Sequence, residues 1–285
     1  MIICIVGPTG VGKTKLSVEL AKKYNAIIIN NDAMQVYKEL NIGTAKPTKE
    51  EMEGIENYLF DFVNVDNFYT VYDYQKDARK VLQDNKDRNI VFVGGTGLYL
   101  KATLYDYEFE EEENDYNNYD NLTNEEIYEL ALKKDKNIDI HPNNRQRLVR
   151  FLNKKDDIKK DSKELYKAIY IGLTTKRDNL YKRIDDRVDE MIKDGLIEEV
   201  KSLYDRKIIC KSINTAIGYK ELYLYFNNEI SLDEAIELIK KRSRNYAKRQ
   251  YTFFNHQLNV KWFETNYDDF NETVNEVEKY INENL

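Results

Sequence analysis

The sequence predicts an α/β fold, a P-loop NTPase-like parallel sheet core flanked by helices and carrying a mostly helical insertion, and three observations predict it. The chain opens on a continuous apolar run, Ile2 to Val6, of the length and texture of a strand covered on both faces. That run leads through Gly7-Pro8-Thr9-Gly10-Val11-Gly12-Lys13-Thr14 into an amphipathic segment, Lys15 to Tyr24, which gives strand, loop and helix in succession. Further short apolar runs at Ala26 to Asn30, Ile90 to Val93 and Ala168 to Leu173 alternate with helical spacing, the signature of parallel βαβ units.

The loop fits G-x-x-x-x-G-K-[ST]. Its glycines let successive backbone amides turn inward on a phosphate, and the following helix adds its N-terminal partial charge. Lys13 then reaches the outer phosphate oxygens and the Thr14 hydroxyl suits a magnesium ion. A polyphosphate is the expected ligand, and the motif alone names neither it nor its fate. ATP-binding is one use of such a loop.

The second strand ends in Asn31-Asp32-Ala33-Met34-Gln35, a polar turn at the carboxyl edge where parallel sheets present functional groups. Asp32 is therefore expected near the phosphate loop, either as a reacting group or as a cap. Val36 to Pro47 reads as an irregular loop, and Thr48 with Glu51 as a capping box opening a helix. Thr70 with Asp73 opens another, in which Val71, Tyr74, Ala78, Val81 and Leu82 keep helical spacing. The strand Ile90 to Val93 runs into Gly94-Gly95-Thr96-Gly97, where small residues permit close backbone approach around one hydroxyl, Thr96.

Asp106 to Asn121 breaks periodicity, and Thr123 with Glu126 opens a helix over Glu125 to Lys134. Residues 107–159 are expected to form the helical insertion, leaving 1–106 and 160–285 as the α/β core. Leu148, Val149, Phe151 and Leu152 form an apolar face with the neighbouring arginines turned outward. Asn179 to Tyr204 reads as one long helix with Leu180, Ile184, Val188, Met191, Ile192, Val200 and Leu203 inward. Arg183 and Arg187, four apart, share a face of it, with Asp186 and Glu190 as available ion-pair partners. Ser231 with Glu234 caps the last long helix, and Asn259 to Phe263 reads as a closing strand with Trp262 in the core.

With 285 residues, 41% hydrophobic and 12% aromatic, the chain has ample material for one large domain or two. Cys4 and Cys210 match no metal spacing and suggest neither a disulfide framework nor a nucleophile. No basic leader or membrane-length apolar run is present, so a cytoplasmic protein with no membrane partner is expected. The net charge of −7 conceals an asymmetry. Ala102 to Leu132 holds eleven acids and no Lys or Arg. Basic residues gather instead at Arg145, Arg147, Arg150, Lys154 and Lys155, and at Lys240, Lys241, Arg242, Arg244, Lys248 and Arg249. Both clusters suit either a phosphate backbone or solvated helix faces.

Eight stretches, in order and spanning nearly the whole chain, together resemble the tRNA dimethylallyltransferase (isopentenyl-diphosphate:tRNA transferase) family of bacterial type. They are Gly7 to Thr14, Asp32 to Tyr37, Ile42 to Pro47, Gly94 to Tyr99, His141-Pro142-Asn143 with Gln146-Arg147, Arg183-Ile184-Asp185 with Arg187-Val188-Asp189, Ala216 to Glu221, and Tyr246 to Gln250. The resemblance implies magnesium-dependent transfer of a dimethylallyl group from dimethylallyl diphosphate to the exocyclic amine of the adenosine 3′ to the anticodon, in tRNAs reading codons that begin with U. It implies catalytic roles for Asp32 as base, Thr96, Lys13 and Arg187. Diphosphate binding falls to Gly7, Pro8, Thr9, Gly10, Val11, Gly12, Lys13 and Thr14, with Arg183 and Arg187, and the metal to Thr14. The tRNA anticodon stem-loop is implied to contact Asp32, Ala33, Met34 and Gln35; Gln146, Arg147, Leu148, Val149 and Arg150; Thr215, Ala216, Ile217, Gly218, Tyr219 and Lys220; and Lys248, Arg249, Gln250, Tyr251, Thr252, Phe253, Phe254 and Asn255. A monomer is expected.

The chain departs from the family pattern in two places. Thr252-Phe253-Phe254-Asn255 stands where many bacterial members have Thr-Trp-Phe-Arg, and Phe109 to Ile140 is shorter and more acidic. It also carries no zinc finger of the eukaryotic kind. The main rival reading is a small-molecule P-loop kinase, followed by an ATPase or switch and by a pure RNA-binding module. Against the first two, Ile90 to Val93 ends in Gly94 rather than in a magnesium-holding acid, although Asp32 is a possible substitute.

Overall fold

In a computed structural model, which describes residues 1–109, 119–153 and 163–285, the chain divides into two compact units, Met1–Tyr107 with Glu164–Leu285, and Glu108–Lys163. The larger unit opens on β1 (Ile2–Val6), α1 (Lys13–Tyr24), β2 (Ala26–Asn30), β3 (Asn57–Tyr58), α2 (Val71–Asp84), β4 (Asn89–Val93) and α3 (Gly97–Leu104). The smaller unit holds α4 (Asn124–Lys134) and α5 (Arg145–Asn153). The larger resumes with β5 (Ile169–Thr174), α6 (Arg177–Lys193), α7 (Leu196–Asp205), α8 (Lys211–Thr215), α9 (Tyr219–Phe226), α10 (Leu232–Gln257), β6 (Lys261–Glu264) and α11 (Phe270–Glu283).

All six described strands pair in parallel in the order β3-β2-β4-β1-β5-β6. β1 therefore lies between β4 and β5, and the carboxyl ends of β1, β2 and β4 come together at one edge. Alternation along the strands divides the core. Ile3, Ile5, Ile28, Val91, Val93, Ile171 and Leu173 pack with Leu16 and Leu20 of α1, Leu180 and Ile184 of α6, and Val274, Val277 and Ile281 of α11. Cys4, Val6, Ile27, Ile29, Ile90 and Phe92 face the other way, onto Tyr74, Ala78, Val81 and Leu82 of α2 and Leu100 and Leu104 of α3. Burial on both faces is why these strands read as unbroken apolar runs. It also encloses Cys4, whose thiol burial pushes up out of the reactive range.

A third core lies beneath the loop after β2. Val36, Leu40, Val63 and Val65 pack against Leu196, Val200 and Leu203 of α7, Tyr219 and Leu222 of α9, and Ala235 and Ile239 of α10. The smaller unit has its own core of Ile127, Ala131 and Leu148, with Val149, Phe151 and Leu152 packed around it. Three expected capping boxes are formed, Thr70 with Asp73, Thr123 with Glu126 and Ser231 with Glu234, each worth about 1 kcal/mol to its helix.

Several expectations are corrected. The segment Asn179 to Tyr204 is two helices, α6 and α7, because Gly195 takes φ 101°, a left-handed conformation that ends one helix and starts the next. The Thr48–Glu51 box makes both of its hydrogen bonds, yet only turns follow, since Glu53 and Gly54 are also left-handed. Arg145 does not face outward: Nη1 donates to the Leu122 carbonyl at 2.7 Å and Nη2 to that of Tyr119 at 2.6 Å. Trp262 is only half-buried, lying across Gly172 with its indole N–H on Asn255 at 2.8 Å. The basic residues of α10 are divided as well. Arg242 pairs with the wholly buried Glu221, Arg244 with Asp185 and Lys240 with Asp189, while Lys241, Lys248 and Arg249 remain exposed. Lys154 and Lys155, and Glu110 to Asp115 of the acidic run, lie outside the described residues, as does the expected 159/160 boundary. Among the described residues, no helix is long and apolar enough to cross a membrane.

The loop after β2 is held by one carboxylate. Glu199 of α7 accepts from the backbone N–H groups of Asn41, Ile42 and Gly43 at 3.2, 2.9 and 3.3 Å, and from the Tyr219 hydroxyl. Glu199→Ala would leave those donors to water, and we expect it to lower unfolding free energy by about 2–3 kcal/mol, read as a shift of the urea midpoint.

Candidate active site

The phosphate loop is shaped by its glycines. Gly7, Gly10 and Gly12 have φ of 136°, 85° and 91°, and a Cβ on Gly7 would stand 2.5 Å from the Leu173 carbonyl oxygen of β5. A side chain there would have to push the two strand ends apart. Lys13 begins α1, and its Nζ donates to the Pro8 carbonyl at 2.6 Å, across the mouth of the loop. Burial pushes the Lys13 pKa down from 10.5 to about 8; Asp32 opposes the shift and Arg187 adds to it. The Thr14 hydroxyl makes no hydrogen bond to protein among the described residues, and it lies in the first turn of α1.

Asp32 stands at the end of β2 as expected, with part of its surface open and protein around the rest. Asn30 Oδ1 accepts from its N–H at 2.9 Å, and its own Oδ1 accepts from the Met34 N–H at 2.9 Å. Burial raises the carboxyl pKa, while the Met34 amide, the Lys13 ammonium and the Gln35 amide hold the rise in check. The result is a carboxyl beside a cation that is more basic than an exposed aspartate.

Thr96 faces Asp32 from the end of β4. Its Oγ1 accepts from the Ala33 N–H at 3.0 Å, and its backbone pairs with Asn31 in both directions, N–H to the Asn31 carbonyl at 3.0 Å and carbonyl to Asn31 Nδ2 at 3.1 Å. The strand ends touch: a Cβ on Gly94 would lie 2.2 Å from the Asn31 carbonyl carbon and oxygen. Gln250 of α10 closes the floor, with Nε2 donating to the Gly95 carbonyl at 3.0 Å. Tyr246, one turn earlier, directs its phenol toward Thr96 and Gln250; burial and the nearby Asp32 charge raise its pKa, so it stays protonated.

Arg183 and Arg187 project from α6 toward the loop. Arg183 Nε donates to the Gly10 carbonyl at 2.9 Å. Arg187 is close enough to Lys13 to depress it, and is itself lowered by burial against the pull of Glu51 and Glu190. Surface ion pairing does not account for the two arginines. Among the described residues neither has a carboxylate within 4 Å, and Asp185 and Asp189 of the same helix are taken by Arg244 and Lys240 of α10.

Asp32, Thr96, Lys13 and Arg187, with the phosphate loop and Arg183, are thus brought to one edge of the larger unit. The expected tRNA-contacting stretches are mixed in exposure. Gln146, Arg147, Arg150, Thr215, Lys248, Arg249, Thr252 and Asn255 are exposed, and Ala33, Met34, Val149, Ile217, Lys220, Tyr251 and Phe253 are partly covered. Leu148, Ala216, Gly218, Tyr219, Gln250 and Phe254 are buried. The Gln35 amide is occupied by the carbonyls of Thr44 and Ala45 at 3.0 and 3.1 Å. Lys220 has its pKa lowered by burial and by Arg242 and Arg249, against Glu221, which places three cations close together where α9 meets α10.

Sequence reasoning gave no role to Asn30, Asn31 or Tyr246, although Asn31 and Tyr246 stand in the stretches it singled out. Two buried asparagines ending an apolar strand were a signal, because such residues must orient something. Tyr246 was visible as the residue one turn before Gln250 on the same helix face.

No group of three His, Cys, Asp or Glu among the described residues could hold a metal. The free Thr14 hydroxyl suits magnesium nonetheless, an ion that keeps most of its waters and is bound chiefly through substrate phosphates.

The IPP transferase family profile matches residues 35–257. The chain is 44% identical to the tRNA dimethylallyltransferase of Anoxybacillus flavithermus, over 98% of this chain and 96% of that protein. Its structure resembles that of the full-length tRNA isopentenylpyrophosphate transferase of Bacillus halodurans, with TM-score 0.76 and 40% identity over 98% and 95% of the two chains. A eukaryotic dimethylallyltransferase acting on tRNA aligns with TM-score 0.78 and 26% identity over 99% of this chain and 79% of that one.

Because folded Lys13 loses its proton near pH 8 and unfolded Lys13 near 10.5, the unfolded chain binds more protons between those values and stability rises with pH there. Urea midpoints of the free protein should increase relative to Lys13→Met as pH is raised through that window. A constant difference would show that Lys13 is not desolvated.

Proposed function

The chain belongs to the IPP transferase family and is a tRNA dimethylallyltransferase, and from that premise we propose how this site moves the dimethylallyl group onto the exocyclic amine of the adenosine 3′ to the anticodon, in tRNAs reading codons that begin with U. The observation that supports the assignment of roles is the electrostatic influence of Asp32 and Lys13 on each other: a proton acceptor and a diphosphate anchor of opposite charge lie near one another at the end of the sheet.

The exocyclic amine of adenine is a poor nucleophile because its lone pair is delocalised into the ring. Asp32 accepts the amine proton as the N–C bond to the dimethylallyl C1 forms, and burial makes it a better base for that purpose. Thr96, held by Ala33 and Asn31, positions the amine beside it. The C1–O bond breaks, and diphosphate departs with the electron pair. Its growing charge is met by the loop amides, Lys13, Arg187 and Arg183. Lys13 leaves the Pro8 carbonyl for the incoming phosphate, which also restores its full charge. Magnesium, held by Thr14 and the diphosphate oxygens, would neutralise further leaving-group charge.

The adenine must leave its stack to reach Asp32, which single-stranded RNA loops permit at low cost. We assign tRNA contact to the exposed members of the four stretches, with Lys220, Lys248 and Arg249 on the phosphate backbone. The buried members, Leu148, Ala216, Tyr219 and Phe254 among them, support that surface from below. Phe253, packed over Gly97, keeps an aromatic face where the family has an indole. A monomer in the cytoplasm fits this reading.

A P-loop kinase remains the alternative of a different class, and Gly94 argues against it. A magnesium-holding acid at that position would need a Cβ 2.2 Å from the Asn31 backbone.

Purified protein incubated with magnesium, labelled dimethylallyl diphosphate and unmodified tRNA should place label in the RNA, and phosphate transfer from ATP to a small acceptor without label would favour the kinase. Asp32→Ala should lower turnover by about 100-fold or more while leaving tRNA binding largely intact, and near-normal turnover would remove its role. Arg187→Ala should chiefly raise KM for dimethylallyl diphosphate, so unchanged kinetics with that substrate would overturn its placement.

A further inference from the structure

We propose that Tyr267 is a positioning residue that holds the Arg183 guanidinium in the orientation needed to receive diphosphate at the phosphate loop; the proposal rests on the diphosphate-binding reading above. The segment between β6 and α11 lies beyond residues 35–257, the part of the chain matched by the family profile, so no family motif pointed to it.

This segment and the first residue of α11 brace the loop at three points. Thr265 Oγ1 donates to the Val11 carbonyl at 2.9 Å. The Phe270 ring lies so close to Gly12 that a Cβ there would be 2.7 Å from its Cε2. Between them, the Tyr267 ring covers Arg183, with the guanidinium carbon 3.7 Å from the ring centroid and the phenol oxygen 3.5 Å from the Gly10 carbonyl oxygen.

Arg183 needs such a brace. It is an exposed, long side chain on a helix surface, and the like charge of Arg187 lies close to it. Two contacts hold it in place. Nε is committed to the Gly10 carbonyl at 2.9 Å, and Tyr267 fixes the guanidinium plane from one side. Among the described residues the Nη groups bond no protein atom, so they remain available as paired donors beside Gly10. A planar fork held at that angle suits two oxygens of one phosphate, and a tyrosine face is what holds it. Phosphate-loop sites in general need the charge in place before the leaving group departs, because reorganisation during the reaction is costly.

The test uses the full chain with magnesium and inorganic diphosphate as the probe in calorimetric titration, together with steady-state KM values for both substrates. Tyr267→Leu, which keeps bulk and removes the ring, should weaken diphosphate binding and raise KM for dimethylallyl diphosphate by roughly three- to fivefold, the scale of a cation–ring contact at an exposed site. KM for tRNA should stay within about twofold. Tyr267→Phe should bind diphosphate nearly as the unaltered protein does, and in an Arg183→Gln background Tyr267→Leu should cost nothing further. Should the leucine variant fail to fold, Tyr267→His takes its place with an intermediate loss expected. Unaltered diphosphate affinity in Tyr267→Leu or Tyr267→His overturns the proposal, as does an equal rise in both KM values or a further loss in the Arg183→Gln background. If the unaltered protein itself binds no diphosphate, the underlying reading fails, and the role of Tyr267 fails with it.

Discussion

The site is organised by a cation kept short of solvent at the end of β1. Asp32 answers its charge from the end of β2, one strand removed, and Asp32 is held by Asn30 and Met34 in the position from which it does so. Each group makes the other tolerable: without the ammonium, burial would drive the aspartate toward its neutral form, and without the aspartate the lysine would lose more of its charge. The pair also divides the reaction into halves, with proton removal on one side and leaving-group stabilisation on the other. The strand order makes this possible, because β4 alone lies between β2 and β1, and Gly94, just after β4, lets the end of β2 approach closely.

Much of this was readable from residues. The phosphate loop, the buried strands and the capping boxes at Thr70, Thr123 and Ser231 are local patterns, and local patterns survive folding when nothing contradicts them. Where a second local rule competed, the reading failed. Gly195 cut a helix whose apolar spacing continued on either side of it, and the left-handed residues after Glu51 stopped a helix that Thr48 had correctly opened.

The less readable part was the allocation of charge. The basic run of α10 suited either a phosphate backbone or a solvated face, and in part it is neither: Arg242, Arg244 and Lys240 are engaged by Glu221, Asp185 and Asp189, which lie on two other helices. That pairing is tertiary and has no sequence signature. It bears on α6 as well: Asp185 and Asp189 of that helix are engaged by α10, while Arg183 reaches the Gly10 carbonyl of the loop. The same holds for Tyr267, which is distant in sequence from every residue it serves.

Glu199 has a further bearing on selectivity. Both substrates are polyanions, and a run of inward-turned amides such as Asn41 to Gly43 is the kind of feature that attracts phosphate wherever it occurs. In this chain it is already filled from within, by a carboxylate the protein cannot lose by diffusion. A phosphate approaching that loop meets a negative charge, while the loop after β1 offers amides and cations. The protein thus presents incoming anions with one amide cradle open and one occupied, and the discrimination between them is set during folding.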